Sequence, residues 1–343
     1  MKKVRVITAE EAALMVKDGD TVSTGGFVSC ACPEALTKAL ENRFVETGHP
    51  RDLTLFFAAG QGHRDGTGGD HFGHEGMCKR VVGGHWDRAA KLGELALANK
   101  LEAYNLPQGV ITHMYRDIAA HNIGTITHVG LKTFADPRNG GGKLNDVTKE
   151  DLVKIVNIEG QERLLYKGFP INVVFLRASY CDEYGNCSGM GGKTNCGVLS
   201  YAYVDAEMAD YVVAVTDCLV DYPNYPAEIN QTKVDYVCVV DQIGIPEKIA
   251  TGAAKPTTDQ RKILMAEYCT QVVANTPYFK DGFSYQTGVG GASIASTISL
   301  SKIMEEKNIH MGLGVGGLTK PMCELLDRGL ARKLVDTQDF DLD

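Results

Sequence analysis

The pattern of apolar and polar positions along the chain predicts strands that alternate with helices. Near-continuous apolar runs are typical of strands buried on both faces of a parallel sheet, and they lie at 53–57, 171–176, 211–216 and 234–240. Helices are predicted over 33–40, 90–103, 114–121, 261–274 and 293–307. Thr8 and Glu11 form a capping-box pattern, so a further helix begins after Thr8. This alternation indicates the α/β class.

The chain contains an internal repeat. The segment Lys17-Asp-Gly-Asp-Thr-Val-Ser-Thr-Gly-Gly-Phe27 recurs in altered form 263 residues later, beginning Lys280-Asp-Gly-Phe-Ser-Tyr-Gln-Thr-Gly288. A further pair of similar segments follows, at 76–82 and 329–335. Self-similarity of this kind predicts two domains of one fold, of which the second is incomplete.

The repeat sets the expected domain boundaries. We predict a first domain over 1–250 and the N-terminal part of a second copy over 260–343. A linker with prolines and small residues lies at 243–259. We expect loop 287–291 of the second copy to face loop 24–27 of the first.

In each copy, a short strand leads into a glycine-rich loop and then into a helix. Such a junction suits an anionic group, because the N–H groups and the dipole of the helix N-terminus point toward it. The structural alternative is that glycine merely permits tight packing of strand against helix. Two matching loops favour ligand binding.

Composition narrows the class of protein. The 343 residues include 44% hydrophobic residues and 38 glycines, which suits about two domains with many tight loops. The net charge of −8 argues against a nucleic-acid-binding surface. No apolar run approaches the ~20 residues of a membrane span, and the N-terminal sequence lacks the apolar core of a signal peptide. With ten cysteines that lack a framework spacing, we expect a soluble cytoplasmic protein with reduced thiols.

The loop at 60–75 gathers His63, His71, His74 and Glu75. A metal site is conceivable there. However, the spacing contains neither His-x-x-x-His nor a pair of cysteines, so we predict no metal and favour the polar rim of an active site.

The loop at 136–143 carries two cations, Arg138 and Lys143, around three consecutive glycines. Charge beside exposed amides suits a phosphate or a carboxylate. The alternative is a mobile surface loop. We favour binding and predict that Arg138 and Lys143 contact the ligand.

Two nucleotide-binding motifs are incomplete. The segment 189–194 resembles a P-loop, but Cys187 stands where that motif requires glycine. Gly312-Leu-Gly-Val-Gly-Gly317 matches the dinucleotide fingerprint, with Asp336 where a ribose-binding acid is expected. The strand before it is short and Pro321 follows closely, so this dehydrogenase-like alternative lacks its structural context.

Several segments of the first half resemble the family I coenzyme A-transferases, especially the propionate (acetate) transferases. They are Lys17-Asp-Gly-Asp-Thr-Val22, Gln61-Gly-His-Arg-Asp-Gly66, His74-Glu-Gly76, Lys79–Trp86 and Asp136–Lys143. From about Cys181 onward the chain is more similar to the citrate lyase alpha chain, a carrier-protein transferase of the same fold. That resemblance rests on Cys181–Asn186, Gly192-Lys193, Val204-Asp-Ala206, Tyr222-Pro-Asn-Tyr-Pro226, Phe279–Ser293 and Arg332–Asp341.

The resemblance implies a NagB/RpiA-like domain with an open, mostly parallel sheet, and a reaction in which a carboxylate attacks a thioester. Coenzyme A or a phosphopantetheine carrier protein is then a substrate together with a small carboxylic acid, and no cofactor is bound permanently. Backbone donors must stabilise the oxyanions that form. We assign this role to Gly25, Gly26 and Phe27, with Gln61 as a side-chain donor. The thioester-binding residues are predicted to be Thr287, Gly288, Gly290, Gly291, Gly314, Gly316 and Gly317.

The chain departs from the transferases where their nucleophilic glutamate belongs. Alignment of the glycines in their Glu-x-Gly-x-x-Gly-like loop places Met311 at that position. Direct attack by the acceptor acid, as in the citrate lyase alpha chain, is therefore favoured. A ping-pong acyl-CoA:acetate or propionate transferase subunit stays an alternative, as does a non-catalytic CoA-binding remnant or partner subunit. The chain is shorter than either relative, so a split subunit and a truncated product both stay open, and a homo-oligomer or a complex with a second subunit is expected.

Overall fold

The computed structural model of the chain describes residues 3–196, 199, 207, 209–244 and 255–335. The chain divides into two compact units, Met1–Ile245 and Pro246–Asp343. Most of the predicted linker, and also Asp336, lie outside the described residues.

The first unit is an α/β unit built around a parallel sheet. Its strands are β1 Arg5–Ile7, β2 Thr21–Thr24, β3 Leu53–Phe57, β4 Cys78–Gly83, β5 Glu102–Asn105, β6 Gly124–Thr127, β7 Val153–Ile158, β8 Gln161–Lys167, β9 Ile171–Arg177, β10 Tyr180–Asp182, β11 Cys187–Ser188, β12 Ala209–Thr216, β13 Leu219–Val220 and β14 Tyr236–Val239. Its described helices are α1 Ala9–Met15, α2 Glu34–Thr47, α3 Ala90–Leu97 and α4 Gln108–Ala119, with 3-10 turns at Gly68–Phe72, Pro137–Asn139 and Gln231–Lys233.

Among the described strands, eight form one parallel sheet in the order β1-β14-β12-β9-β2-β3-β4-β5. The described residues also form an antiparallel sheet, β6-β8-β7, and a small sheet, β11-β10-β13. The large parallel sheet confirms the α/β class that the apolar runs predict.

Strand β2 lies in the middle of the parallel sheet. Its Val22 is in register with Val173 of β9 on one side and with Leu55 of β3 on the other. Helix α2 connects β2 to β3, whereas β9 follows much later in the chain. The strand order therefore changes direction between β9 and β2, and ligands of open α/β sheets bind outside the carboxyl ends of strands at such a switch point.

Strand β3 and the residues around it are buried because both faces of the sheet are covered. All five residues of β3 are buried. The ring of Phe56 packs edge-on against Tyr115 of α4, with centroids 5.0 Å apart, and against Phe169 at 4.9 Å. Burial of such a side chain contributes about 1.5–3 kcal/mol. The continuous apolar run at 53–57 reflects this two-sided burial.

Several helix boundaries differ from the predicted ones. The helix predicted over 90–103 ends at Leu97, and Asn99 adopts a left-handed conformation with φ of 57°. Ala103 and Tyr104 are fully buried in strand β5, which pairs with β4, so sheet pairing overrides helix propensity here. The helix predicted from 114 begins at Gln108, directly after Pro107. The capping box at Thr8 is confirmed, with reciprocal hydrogen bonds between Thr8 and Glu11.

The second unit contains the strands β15 Phe283–Gln286, β16 Met311–Val315 and β17 Leu334–Val335 and the helices α5 Gln260–Ala274, α6 Gly291–Lys307 and α7 Lys320–Asp327. The described strands are parallel, in the order β15-β16-β17. Its core holds Met304, Met311, Met322 and Leu325. The identity of this unit as an incomplete copy of the first stays a prediction.

The cysteines of the described residues are free thiols, and most of them are buried. No helix within the described ranges combines the length and the apolar character that crossing a membrane requires.

Candidate active site

The carboxyl ends of β9, β2 and β3 bring three segments of the first unit together. The loop at 25–33 follows β2, Gln61 lies four residues after β3, and Arg177 is the last residue of β9. Main-chain hydrogen bonds join the first two segments: Val28 donates to the carbonyl of Gly60 at 2.8 Å, and Gly62 donates to the carbonyl of Val28 at 2.8 Å. The sequence predicted the meeting of the glycine loop with Gln61 but not the presence of Arg177.

The loop at 25–33 has an unusual backbone. Gly26 has φ of 110°, and a Cβ added to it would lie 2.7 Å from the nitrogen of Cys32. Val28 and Ala31 also adopt left-handed conformations, with φ of 54° and 52°. Left-handed backbone at non-glycine residues costs about 1–3 kcal/mol each and clusters at functional sites, where the surrounding structure enforces it.

Two of the predicted oxyanion donors are bonded within the chain. The N–H of Gly25 donates to the carbonyl of Phe175 at 3.4 Å, and the N–H of Phe27 donates to the carbonyl of Cys30 at 2.9 Å. A side chain at position 26 would collide with the backbone of Cys32, so this position requires glycine. In this structure these contacts shape the loop, and the role of Gly25, Gly26 and Phe27 toward an oxyanion stays a prediction.

Gln61 is buried and its amide is engaged within the site. Nε2 donates to the carbonyl of Thr24 at 2.9 Å and contacts the hydroxyl of Thr24 at 3.0 Å. Oε1 accepts from the thiol of Cys32 at 3.4 Å. Gln61 thus ties the end of β2 to the loop that follows it, and its predicted donor role toward a substrate is not tested by these contacts.

Arg177 is a functional candidate that the sequence reasoning missed. The side chain is 1% exposed, and Nη1 donates to the carbonyls of Ser29 at 3.0 Å and Cys32 at 3.3 Å. A narrow cleft at this point is lined by Ser29, Cys32, Glu34, Thr67 and Arg177. The available signal was a charged residue placed directly after the apolar run Phe175-Leu176, since a charge at the end of a buried strand requires a partner.

A chain of carboxylates and imidazoles leads from this cleft toward the surface. His71 is buried, with Nε2 at 2.7 Å from Oε1 of Glu34 and Nδ1 at 2.8 Å from Oε2 of Glu41. Oε1 of Glu41 lies 2.7 Å from Nε2 of His74, and Lys38 donates to Oε2 of Glu41 at 2.7 Å. Because both ring nitrogens face carboxylate oxygens, His71 is held as an imidazolium that donates from both.

The pKa values of these groups follow from the contacts. Burial by itself lowers the pKa of His71, but the hydrogen bonds and charges of Glu34 and Glu41 outweigh it and raise that pKa above its usual value. Burial by itself raises the pKa of Glu41, but hydrogen bonds from Lys38, His74 and His71 lower it to about 2. The pair is therefore ionised near neutral pH, and it fixes the loop at 60–73 against helix α2.

The predicted ligand cations of the loop at 136–143 are paired within the chain. Nη2 of Arg138 lies 2.6 Å from Oδ2 of Asp136 and 2.8 Å from Oε1 of Glu162, and Lys143 forms an ion pair with Asp151. Gly142 anchors the loop beside β5 by accepting from the N–H of Asn105 at 2.8 Å. A binding role for Arg138 and Lys143 stays a prediction, because it requires these ion pairs to be exchanged.

The histidines of the loop at 60–75 have partners other than a metal. His71 and His74 bind carboxylates, His63 lies 2.7 Å from the hydroxyl of Ser29, and Glu75 accepts from Lys100. Across the described ranges, no three His, Cys, Asp or Glu side chains group as ligands for one ion. His63 and His71 contact Ser29 and Glu34 of the cleft lining, and the polar rim of an active site stays a prediction.

The glycine loop of the second unit forms a groove at the N-terminus of α6. Tyr285, Thr287, Gly288, Ser293 and Ser296 are among its lining residues. Gly290 is the N-cap, and a Cβ there would meet nothing within 4 Å. The space beside Gly290 is open, and Thr287 lines the groove wall. Both features suit the binding of a ligand, which is the predicted role of this loop.

The other predicted binding glycines of the second unit include some that lie close to neighbouring atoms, and the role of Gly291, Gly314, Gly316 and Gly317 toward a thioester stays a prediction. A Cβ on Gly291 would lie 2.9 Å from the carbonyl oxygen of Lys255, and one on Gly314 would lie 2.7 Å from Leu334. Gly316 has φ of 79°, which favours glycine, and Gly317 follows it. Gly312 and Gly314 lie inside strand β16 rather than in the turn after it. A turn and helix α7 follow β16, but the first two glycines of the fingerprint lie in the strand and not in the turn that would approach a pyrophosphate, which argues against the dehydrogenase alternative.

The fold is an α/β fold with a large parallel sheet, like that of the CoA-transferases, and the candidate site lies at the switch point of that sheet. The chain belongs to the citrate lyase alpha subunit (CitF) family, whose model matches residues 108–343. It is 36% identical over 306 residues to the citrate lyase alpha chain of Klebsiella pneumoniae, a match that covers 89% of this chain and 56% of that protein. The chain thus spans little more than half the length of this relative.

The solved structures that are similar to the chain include the following two. One is a Streptococcus mutans protein described as an alpha subunit of citrate lyase in complex with citrate, with a TM-score of 0.71, 31% identity and coverage of 99% of this chain and 56% of that one. The other is the acyl-CoA transferase YdiF of Escherichia coli O157:H7 in a thioester complex with CoA, with a TM-score of 0.72, 29% identity and coverage of 89% and 60%.

Proposed function

We propose that this chain transfers a thiol carrier, coenzyme A or the phosphopantetheine of a carrier protein, from one carboxylic acid to another. The observation that carries the proposal is its membership of the citrate lyase alpha subunit family over residues 108–343. The similar structures that hold citrate and a CoA thioester supply the two substrate classes. The cleft at the carboxyl ends of β9, β2 and β3 supplies a location for the chemistry.

The reaction needs two acyl transfers and no redox partner. A carboxylate oxygen of the acceptor acid attacks the thioester carbonyl carbon, the tetrahedral oxyanion collapses, and the thiolate leaves, which gives a mixed anhydride. The thiolate then attacks the other carbonyl carbon of the anhydride. A new thioester forms and the first acid departs as a carboxylate, so the reaction is balanced without net proton transfer.

The chain must position the acid and the thioester and must exclude water, because water would hydrolyse the anhydride. The loop at 25–33 is held in one shape by Gln61, Arg177 and its own left-handed residues. A loop fixed in this way is pre-organised for the oxyanion, so little reorganisation is required during the reaction.

Direct attack by the acceptor acid is favoured over the ping-pong alternative by the position of Met311. We predict that this residue stands in the place of the transferase glutamate, and it is fully buried in the core of the second unit. It therefore presents neither a carboxylate nor a side chain exposed to substrate.

The test is a transfer assay with the purified chain. Acetyl-CoA and an acetylated carrier protein are each offered to citrate, acetate and propionate, and the new thioester is identified by mass spectrometry. Formation of the acceptor's thioester supports the proposal. Hydrolysis without transfer would contradict it. CoA binding with no turnover on any acid would instead identify a non-catalytic binding protein.

A further inference from the structure

A groove of the first unit runs between helix α4 and strand β6. Its volume is about 400 Å³, within the range of ligand pockets, and it shares no lining residue with the cleft at Arg177. On the helix side it is lined by Gly109, His113 and Asp117, which lie four residues apart and so form one stripe of α4. The hydroxyl of Thr125 in β6 donates to Oδ2 of Asp117 at 2.5 Å and joins the strand to the helix at one end of the groove.

The strand side of the groove is the edge of a sheet. Strand β6 is the outer strand in the described order β6-β8-β7. Three consecutive residues of β6, at 125–127, line the groove. Because successive side chains of a strand point to opposite faces, a groove lined by three residues in a row follows the edge of the strand and not one of its faces.

The main chain of Ile126 faces this groove with a free donor and a free acceptor. The N–H of Gly168 donates to the carbonyl of Ile123 at 3.0 Å, so these two residues form a hydrogen-bonded pair of the antiparallel ladder. Such pairs alternate along a strand, so Thr125 and Thr127 bond to β8 while the N–H and C=O of Ile126 point away from it. Among the described residues, neither group of Ile126 has a partner. An unpaired edge of this kind is a template for another strand.

The side chains around the groove add apolar surface and one charge. Val110, Ile126 and Val129 line it, and the latter two are 45% and 43% exposed. The carboxylate of Asp117 accepts from one amide and one hydroxyl. Within the ranges that the structure describes, it forms no ion pair with Lys, Arg or His. Its negative charge is therefore available to a cation from outside the unit.

We propose that the groove between α4 and β6 binds an extended segment of another polypeptide, which adds a strand to the edge of β6. In this mode of recognition main-chain hydrogen bonds supply affinity and side-chain pockets supply specificity. The segment carries aliphatic side chains at alternate positions for the apolar surface, and a Lys or Arg for Asp117. The volume of the groove and the wall formed by α4 suit one short strand and not a second folded unit. This inference goes beyond the proposed function and is independent of the acid or thioester that the chain uses.

A defined peptide tests the proposal on the 343-residue chain. The probe is fluorescein-labelled Lys-Thr-Val-Thr-Val-Thr-Lys with blocked ends, in which a lysine at each end reaches Asp117 whichever way the strand runs. Fluorescence anisotropy should show saturable binding. Glutamate in place of both lysines should weaken it by up to about fivefold, the effect of an exposed ion pair, and Asp117→Asn should remove that difference. Absence of saturable binding at about 1 mM peptide would overturn the proposal.

The main chain of the peptide can be tested separately from its side chains. Alternate amides of a strand face opposite edges, so only one of the two alternate sets can bond to β6. N-methylation of that set should raise the Kd about tenfold or more, while methylation of the other set should change it by less than about threefold. Equal effects of the two sets would contradict the addition of a strand.

Gly109 and Gly93 offer a matched pair of variants. A Cβ at either position would meet nothing within 4 Å, and both glycines lie in helices, but only Gly109 lines the groove. Gly109→Trp should therefore fold and raise the Kd about tenfold or more, whereas Gly93→Trp should change it by less than about twofold. An equal effect of the two substitutions would overturn the proposal.

Two measurements on the unmodified chain complete the test. By hydrogen exchange, the amide of Ile126 should exchange faster than those of Thr125 and Thr127, and saturating peptide should slow it. An Ile126 amide that is already protected in the free chain would contradict the open edge. By sedimentation, a dimer that Gly109→Trp dissociates would assign the groove to a second copy of the chain and overturn the proposal.

Discussion

Nδ1 of His49 lies 2.8 Å from Oδ2 of Asp18, and Nδ1 of His310 lies 2.9 Å from Oδ1 of Asp281. Each aspartate belongs to a Lys-Asp-Gly turn that precedes a strand, and each histidine precedes the next strand of the same sheet. In each turn the main-chain N–H of the glycine also donates to the carbonyl of a residue that precedes the next strand. Gly19 donates to Arg51, and Gly282 donates to His310. The two halves of the sequence repeat thus share a side-chain contact that the repeat alone did not predict.

This shared contact leads to a structural prediction. Superposition of the segments β2–α2–β3 and β15–α6–β16 in an experimental structure should bring the two Asp–His pairs together. An experimental structure is the measurement that tests whether the second unit is an incomplete copy and whether loop 287–291 faces loop 24–27. Strands connected in a different order would contradict the repeat.

The second prediction concerns stability and pH. His71 has a raised pKa in the folded chain, so its contribution is fully present below its unfolded value of 6.5 and is lost as the pH rises through the folded value. Glu41 has a pKa lowered to about 2, so its contribution is present above its unfolded value of 4.5 and is lost as the pH falls toward 2. Both contributions are therefore complete between pH 4.5 and 6.5.

The variant His71→Gln tests this account. It removes the buried cation that contacts both Glu34 and Glu41, and it should lower the free energy of unfolding by about 3–5 kcal/mol, measured by urea denaturation at about pH 6. Its loss of stability on the alkaline side should be weaker than in the unmodified chain. His128→Gln, at an exposed position, is the control and should change neither quantity. Identical alkaline profiles of His71→Gln and the unmodified chain would contradict the assignment.

The third prediction separates two kinds of glycine. Gly290 has φ of −72° and open space at its Cβ position, so Gly290→Val should fold normally and yet block transfer by filling the space predicted for the thioester. Gly26→Val should destabilise the chain, because its Cβ would collide with the backbone of Cys32. Gly25→Val is expected to block transfer as well. Thermal unfolding and the transfer assay together check these outcomes, and unchanged turnover of Gly290→Val would remove that loop from the site.

The fourth prediction is that no covalent glutamyl-CoA thioester forms on this chain. Met311, which we predict to stand where the transferases have their glutamate, is buried, and Glu34, the acid that lines the cleft, is held by His71 and by the N–H of Gly68. A nucleophile must lie about 3–3.5 Å from the acyl carbon with a free oxygen. Incubation with acyl-CoA, trapping with borohydride or hydroxylamine, and intact mass measurement should show no adduct. An adduct mapped to a glutamate would restore the ping-pong mechanism.

The sequence alone determined the class of fold and the location of the loops. Continuous apolar runs such as 171–176 are diagnostic because a strand buried on both faces tolerates few polar residues, and the glycine at position 26 is required by local backbone conformation. A continuous apolar run and a required glycine each depend on a short stretch of chain, so both can be recognised in the sequence. The family resemblance added the expected chemistry and the prediction that Met311 stands in the place of a glutamate.

Only the tertiary structure decided which distant side chains meet. Arg177 reaches Ser29 across 148 positions, and His71 reaches Glu34 across 37, because parallel strands bring their carboxyl ends to one edge of the sheet whatever their separation in the chain. The strand at 102–105 likewise exists because it pairs with β4, although its residues continue a helical pattern. Pairing partners and charge partners are long-range properties, so no local pattern in the sequence specifies them.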